Sequence, residues 1–302
     1  MDRLVLEPAA RRDAVLDLMR SAQSRLTLSM FRCDDFAVLD EVAAAVKRSV
    51  QVRVLITHRA RGWKQRLKEL SAVLDSIGAQ VHRYKGPLTK YHAKYIVADD
   101  GPALVSSLNF TRKCFENTCD FLVFSDDPNI VSGLGLIFEH DYSRPGLPLP
   151  EITDRLIVGP DHARERLAKL LAEAQNNIRI IDHRLIDPRM VALLREKQNS
   201  GVLVQVLGQG PMGGLICHGR VILVDNRIAV IGSIHLSPPS LDSRREVAIL
   251  IREPGIIVEL NDFFDRLASD DANIVTLSEA PTATADDEDE EEEDENYPAV
   301  EV

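Results

Sequence analysis

The chain has 302 residues, of which 45% are hydrophobic and 27% charged, proportions typical of a globular protein with a sizeable core. Its formal net charge of −11 is concentrated near the C-terminal end, where residues 286–295 are ten consecutive acids. All 36 bases but only 35 of the 47 acids precede residue 279. Composition therefore provides no overall electrostatic case for nucleic-acid binding, although a local basic cleft remains open.

The cellular setting is inferred from what the sequence lacks. Charged residues interrupt positions 1–15, and no run of about 18 apolar residues occurs, so we expect neither a signal peptide nor a membrane span. The four cysteines include no C-x-x-C pair, which favours reduced thiols. We therefore expect a cytoplasmic protein whose contact with a membrane, if it has one, is peripheral.

Strands and helices alternate through the first part of the chain. Hydrophobic spacing predicts helices over residues 9–22, 37–47, 63–77 and 128–140 and strands over residues 26–30, 50–56, 80–84, 91–98, 103–107 and 120–124. This alternation predicts an α/β fold in which helices cover the faces of a sheet.

After the Pro- and Gly-rich residues 143–150, the beginning of the chain is repeated. Residues 22–26 resemble 174–178, and residues 50–55 resemble 202–207, in each case 152 positions later. The second copy lacks a counterpart of residues 62–84. We therefore predict two repeats, at residues 1–145 and 151–270, followed by a disordered acidic tail at 279–302.

Two sets of polar residues recur in the same order. The first set is His92, Lys94, Asp99, Ser107, Asn109 and Asp120, and the second is His218, Arg220, Asp225, Ser233, His235 and Glu246. Each member of the second set lies 126 positions after its counterpart. Two copies in one register indicate a functional unit that is used twice.

These residue types suit phosphate-ester chemistry. Alternate residues of a strand share a face, so His92 and Lys94 are predicted to point the same way, as are His218 and Arg220. If the repeats pack about a pseudo-twofold axis, both imidazoles and both cations converge on one pocket. There the cations hold phosphate oxygens, one imidazole attacks phosphorus, and the other transfers protons. Such a site requires no metal or other cofactor.

The remaining members of each set receive supporting parts. Ser107, Asn109, Ser233 and His235 are predicted to bind phosphate. Asp99 and Asp225 are grouped with the catalytic residues as members of the motif, although their odd spacing favours strand-end supports. Asp120 and Glu246 are better candidates for accepting an imidazole N–H. The sequence leaves open whether each acid serves its own repeat or the other one.

The doubled pattern resembles the phospholipase D superfamily, in which H-x-K-x4-D is followed by G-S-x-N and a downstream acid. The resemblance covers residues 11–267 and is strongest at 91–124 and 217–251. It implies a phospholipase D-like fold with two pseudo-twofold-related repeats, each with a mixed sheet flanked by helices, and an active site between them. It also implies a metal-independent phosphodiesterase or phosphatidyltransferase of the cardiolipin-synthase kind acting on a phospholipid. In that mechanism His92 is the nucleophile and His218 the acid.

Three departures from the family pattern leave rate and substrate open. Arg220 replaces Lys, His235 replaces Asn, and Ser106 replaces Gly. A nuclease of the same superfamily and a non-catalytic homologue that binds phosphate or a partner remain alternatives. The acid run at 286–295 could dock a basic partner. Since one chain carries both motifs, a monomer is sufficient for a complete site.

Overall fold

The computed structural model describes residues 1–60, 62–143, 145, 147–208, 211–269, 275 and 277. The predicted acidic tail at 279–302 lies outside these residues. The helices are α1 (Pro8–Ser21), α2 (Phe36–Lys47), α3 (Lys64–Ile77), α4 (Arg112–Glu116), α5 (Pro128–Ser143), α6 (Ala163–Ala172), α7 (Pro188–Asn199), α8 (Pro238–Asp242) and α9 (Pro254–Ala268).

The strands of the first repeat are β1 (Asp2–Val5), β2 (Arg25–Met30), β3 (Gln51–Thr57), β4 (Gln80–Tyr84), β5 (Lys90–Tyr91), β6 (Tyr95–Ala98), β7 (Ala103–Ser106), β8 (Thr118–Cys119) and β9 (Leu122–Ser125). Those of the second are β10 (Leu156–Gly159), β11 (Asn177–Ile181), β12 (Leu203–Leu207), β13 (Pro211–Met212), β14 (Leu215–Cys217), β15 (Arg220–Val224), β16 (Ile228–Gly232) and β17 (Arg244–Ile251).

The first sheet has the strand order β1-β9-β7-β6-β2-β3-β4. Strands β2, β3 and β4 are parallel and are connected through α2 and α3, whereas β6, β7 and β9 run antiparallel to their neighbours. Helix α3 ends at Gly78, whose φ of 96° gives the left-handed C-terminal turn that glycine adopts without strain. The α/β prediction is confirmed, and the predicted elements up to residue 84 agree to within one residue.

The second sheet repeats this arrangement in the order β10-β17-β16-β15-β11-β12. Leu26 pairs with Ala98 in the first sheet, and Ile178 pairs with Val224 at the same place in the second. Ile178 lies 152 positions after Leu26, and Val224 lies 126 positions after Ala98. These are the two offsets found in the sequence. Among the described residues, β12 is the last strand of the second sheet, and the backbone N–H of Val275 donates to the Val206 carbonyl of β12 at 2.8 Å.

Two short strand pairings join the repeats. Strand β5 pairs with β17 through Tyr91 and Arg245, and β8 pairs with β14 through Cys119 and Cys217. Tyr91 and Cys119 of the first repeat correspond to Cys217 and Arg245 of the second, in each case 126 positions later. The two pairings are therefore equivalent contacts related by a pseudo-twofold axis. Apolar residues from both sheets, among them Phe121 and Val247, share one buried core between the repeats.

The predicted continuous strand over residues 91–98 is wrong. Strand β5 ends at Tyr91 and β6 begins at Tyr95, because the chain leaves a pairing with the second repeat and enters the first sheet. The backbone N–H of His92 donates to the carbonyl of Arg245 at 2.8 Å. Tertiary pairing thus overrides the local strand pattern, and the first motif lies at the junction between the repeats.

Candidate active site

Each motif histidine is held by an acid from the other repeat. His92 Nδ1 lies 2.9 and 3.0 Å from the two carboxylate oxygens of Glu246. His218 Nδ1 lies 2.9 and 3.0 Å from those of Asp120. An ionised carboxylate can only accept, so Nδ1 carries a proton in both rings and Nε2 is the nitrogen left to react. The question that the sequence left open is answered by this crossed arrangement.

Both acids remain ionised despite their burial. Burial by itself would raise the pKa of Glu246, but the neighbouring His92 and Lys94 lower it to about 2. Burial opposes ionisation of Asp120 as well, and His218 together with Arg11 holds the pKa of that carboxyl well below its ordinary range. Each site thus contains a fixed negative charge that can stabilise an imidazolium.

Hydroxyl groups fix the positions of the two carboxylates. Ser107 donates to Asp120 at 2.6 Å, and Thr118 donates to its second oxygen at 2.5 Å. Ser240 donates to Glu246 at 2.9 Å. The Ser107 hydroxyl proton is therefore directed at the acid that supports His218, whereas the sequence predicted that this residue binds phosphate.

The motif cations lie in the same buried junction. Lys94 Nζ is 3.0 Å from His92 Nε2 and donates to the His92 carbonyl at 2.8 Å. Arg220 Nε donates to His235 at 2.8 Å, and its Nη1 donates across the junction to the Ser107 carbonyl at 3.2 Å. Two cations and two imidazoles are thus brought together as predicted, although His92 and Lys94 lie outside a strand.

The other predicted phosphate-binding residues differ in their surroundings. The Ser233 hydroxyl accepts from the Val247 N–H at 3.1 Å. Asn109 is buried, and its Oδ1 has no hydrogen-bond partner in the described part of the chain. His235 contacts Arg220 through its ring. For these residues, phosphate binding stays a prediction.

Asp99 and Asp225 are far from the reacting groups. Asp99 accepts from the backbone N–H groups of residues 23–25 at 2.8 Å, and Asp225 accepts from those of residues 175–177. Asp99 lies seven positions after His92, beyond the far end of β6. Both carboxylates secure the start of a neighbouring strand, which agrees with the strand-end role that their odd spacing favoured, and a catalytic part for them stays a prediction.

One site residue carried no motif signal. Asp182 follows β11 and accepts from His235 Nδ1 at 2.5 Å and from the Leu236 N–H at 2.7 Å. Burial would raise its pKa, but the adjacent His235 keeps the pKa of this carboxyl well below its usual range. The offset of 152 aligns Asp182 with Met30, so an acid in place of an apolar residue was the available signal.

Two groups of side chains have donor spacing that could suit a metal ion. Asp182, His183 and His235 form one group, and Cys114, Asp120 and His218 form the other, each with donor atoms within 4.8 Å of one another. In both groups an imidazole Nδ1–H already donates to the carboxylate. These hydrogen bonds account for the spacing, and Arg220 places a positive charge against the first group.

A family model described as "Cardiolipin synthase, PLD-like domain" matches residues 15–142. The matched region contains the first motif, and the crossed pairs show that the second motif completes the same site. Residues 15–142 therefore resemble a phospholipase D-like domain. Among the described residues, no helix is long and apolar enough to cross a membrane.

Similar proteins include enzymes with different names. A polyphosphate kinase of Mycolicibacterium gilvum (strain PYR-GCK) is 24% identical over 272 residues, covering 78% of this chain and 36% of that one. The structure of a polyphosphate kinase from Porphyromonas gingivalis has a TM-score of 0.73 and 19% identity, covering 89% of this chain and 51% of that chain. This chain therefore spans only about a third to a half of the length of those kinases. A phosphatidylserine synthase of Haemophilus influenzae Rd KW20 has a TM-score of 0.67 and 13% identity, covering 93% and 89%. The structural similarities show the fold.

Proposed function

We propose that the chain is an enzyme that transfers a phosphorus-centred group through a covalent intermediate on His92. The crossed pairing of two imidazoles with two buried carboxylates supports this proposal above all. It provides one imidazole for attack and another for proton transfer, each with a fixed tautomer. A purely structural histidine pair would not need two ionised acids at the centre of a shared core.

In the first half-reaction, the lone pair of His92 Nε2 attacks phosphorus. The N–P bond forms as the bond from phosphorus to the leaving oxygen breaks. Lys94 turns from the imidazole to a non-bridging oxygen, and Arg220 holds another. His218, in its imidazolium form stabilised by Asp120, gives the Nε2 proton to the leaving oxygen.

In the second half-reaction, His218 acts as a base. Its Nε2, now neutral, removes the proton from water or another acceptor hydroxyl, whose oxygen attacks phosphorus. The N–P bond breaks and the electron pair returns to His92, with Glu246 stabilising the ring throughout. The His218 side chain is 13% exposed whereas that of His92 is buried, which suits the exchange of protons with a leaving group and an acceptor.

Two classes of phosphorus bond are candidates for the reaction. A phosphatidyl group of a phospholipid is favoured by the family description and by the phosphatidylserine synthase, most of whose length this chain covers. A phosphoanhydride is favoured by the similarity to polyphosphate kinases and by the basic side chains beside His92. Nuclease action remains an alternative expectation within the superfamily.

A substrate panel tests the reaction class. The full chain is incubated in EDTA with bis(p-nitrophenyl) phosphate, phospholipid vesicles, polyphosphate or single-stranded DNA, beside His92→Ala and His218→Ala. His162→Ala is the matched control, since His162 belongs to neither motif. We expect turnover that both motif variants lose and the control keeps. Turnover that survives both motif substitutions would contradict the proposal, and a folded protein inactive on all four substrates would favour the non-catalytic alternative.

A further inference from the structure

Basic side chains are more numerous in the connection that leads to the first motif than in the connection that leads to the second. Residues 56–91 contain eight bases and two acids, although the chain up to residue 278 is close to neutral. The corresponding connection of the second repeat, residues 208–217, contains no charged residue. The asymmetry follows from the first repeat's additional helix and strand, α3 and β4.

The topology places this charge at the mouth of the site. Strands β2, β3 and β4 are parallel, so their C-terminal ends share one edge of the sheet. Strand β6 runs antiparallel to β2 and begins at that edge, directly after the His92 motif. Residues that follow β3 or β4, or that begin α3, lie at the same edge. Five exposed cations at these places form the basic rim: Arg59, Lys64, Arg66, Lys68 and Lys85.

Aromatic contacts connect the basic rim to the catalytic histidine. The guanidinium groups of Arg66 and Arg32 lie 5.1 and 5.2 Å from the ring centre of Trp63. Arg32 also lies 5.0 Å from the ring centre of Phe31. The Phe31 ring stands edge-on to His92, with centroids 4.7 Å apart. Cations and aromatic rings thus alternate from the surface to the reacting imidazole.

We infer that the basic rim binds a linear polyanion, a chain of several consecutive phosphates whose end reaches His92. The rim cations form no ion pair with another described residue, so an anionic ligand meets them without displacing a carboxylate. Several cations in a row favour several linked charges over one, because each contact adds to binding. The identity of the reacting group rests on the proposed function, whereas the binding surface is independent of catalysis.

The surroundings favour phosphates without bases or acyl chains. Trp63 and Phe31 are buried under cations and do not provide exposed stacking platforms for nucleic-acid bases. Among the described residues near this edge, the exposed large apolar side chains are Phe36 at the start of α2 and Val73 in the second half of α3, which are single residues and not a continuous apolar face. A membrane-docking surface would need an apolar face beside the cations.

Trp63 provides a reporter for this surface, since it is the one tryptophan of the chain. The full chain is titrated with sodium polyphosphate, and with orthophosphate at equal phosphate concentration, while tryptophan fluorescence is recorded. We expect a saturable change with polyphosphate at concentrations where orthophosphate produces none. Raising the salt concentration should weaken the response, because the rim charges are exposed and screened.

Charge substitutions locate the surface. The test variant carries Lys64→Gln, Arg66→Gln and Lys68→Gln. The control carries the same loss of charge on exposed residues of the second repeat that lie away from the motif, through Lys169→Gln, Arg227→Gln and Arg252→Gln. We expect the polyphosphate Kd to rise about tenfold in the test variant and less than about twofold in the control. Equal unfolding temperatures would show that both variants fold.

The same titration separates the possible outcomes. Equal Kd changes in the two triple variants, or no saturable response, would overturn the inference. Tighter binding of single-stranded DNA or of anionic phospholipid vesicles would overturn it in favour of that ligand. Rapid-quench labelling of the native chain distinguishes this inference from the proposed function. If polyphosphate binds but no covalent intermediate forms, the binding surface stands and the proposed reaction is refuted.

Discussion

The two repeats agree in how they hold the imidazole and differ in what surrounds it. Both use a buried carboxylate of the partner repeat, at the same 2.9 Å. Around His92 the first repeat places Lys94, Phe31 and Asn109, whereas at the corresponding positions the second repeat has Arg220, His183 and His235. Orientation of the ring is thus common to both halves, while the phosphate-side residues have diverged. This divergence supports the different parts that we propose for the two halves in one reaction.

The two cations show the divergence most clearly. Lys94 contacts the imidazole of its own motif directly. Arg220 instead belongs to a chain in which Asp182 holds His235 and His235 accepts from the guanidinium. A planar guanidinium held in this way presents fixed donors, whereas an ammonium on a flexible stem can follow a moving phosphate.

The largest expected effect separates the two histidines. His92→Ala and His218→Ala should each reduce turnover by about 10³-fold or more, because one removes the nucleophile and the other the proton donor. Only His218→Ala should still form a phosphorus-labelled protein, since its nucleophile is intact. Rapid-quench labelling beside steady-state kinetics measures this difference. Equal labelling of both variants would contradict the assignment of His92 as the nucleophile and His218 as the proton donor.

The crossed acids come next in size. Glu246→Gln and Asp120→Asn should each lower kcat by about 10²-fold, because a neutral amide no longer stabilises the imidazolium. Labelling of His92 should be slowed by Glu246→Gln, although the two residues belong to different repeats. Asp99→Asn serves as the matched control and should leave kcat unchanged, since its carboxylate binds backbone N–H groups far from the site.

The interaction of the buried acids with neighbouring cations and imidazoles also predicts a dependence of stability on pH. The pKa of Glu246 is about 2 in the folded protein against an ordinary value of 4.5, so folding favours its ionised form. Its contribution is fully present above pH 4.5 and is lost as the pH falls towards 2. Glu246→Gln should lower the free energy of unfolding at pH 7 by about 3 kcal/mol. The difference from the native chain should shrink on acidification, and urea unfolding at several pH values measures it.

A smaller effect is expected at the residue that lacks a motif. Asp182→Asn should reduce kcat/KM by about tenfold, because a neutral amide has one acceptor oxygen and cannot accept from both His235 and the Leu236 N–H. A double-mutant cycle with His235→Asn tests the connection. Strictly additive losses would show that Asp182 acts only on the fold. Coupled losses, seen mainly in KM, would show that Asp182 acts through His235 to position Arg220 for phosphate binding.

The smallest effect concerns the acidic tail. Deleting residues 279–302 removes twelve acids, which repel a polyanion and compete for the rim cations. Polyphosphate should bind about twofold to fivefold more tightly to the shortened chain at low salt, and the difference should vanish at high salt. Binding that is weaker without the tail would contradict this electrostatic relation.

The sequence predicted much of this site because the repeat aligns its residues twice. Both motifs, the two offsets and the role of the acids as imidazole partners are visible in the pattern. The crossing of Glu246 to His92 was not predictable, since it depends on how the two sheets pack. The break after Tyr91 was missed because pairing with a strand 154 positions away overrides local propensity.

The most direct measurement is the site of covalent attachment during turnover. The native chain and both histidine variants are quenched with the substrate that the panel selects, and labelled peptides are located by mass spectrometry. The structure predicts a phosphorus label on the imidazole of His92, stronger in His218→Ala and absent in His92→Ala. A label on His218 or on a serine, or turnover with no labelled protein at any quench time, would contradict the two-histidine mechanism.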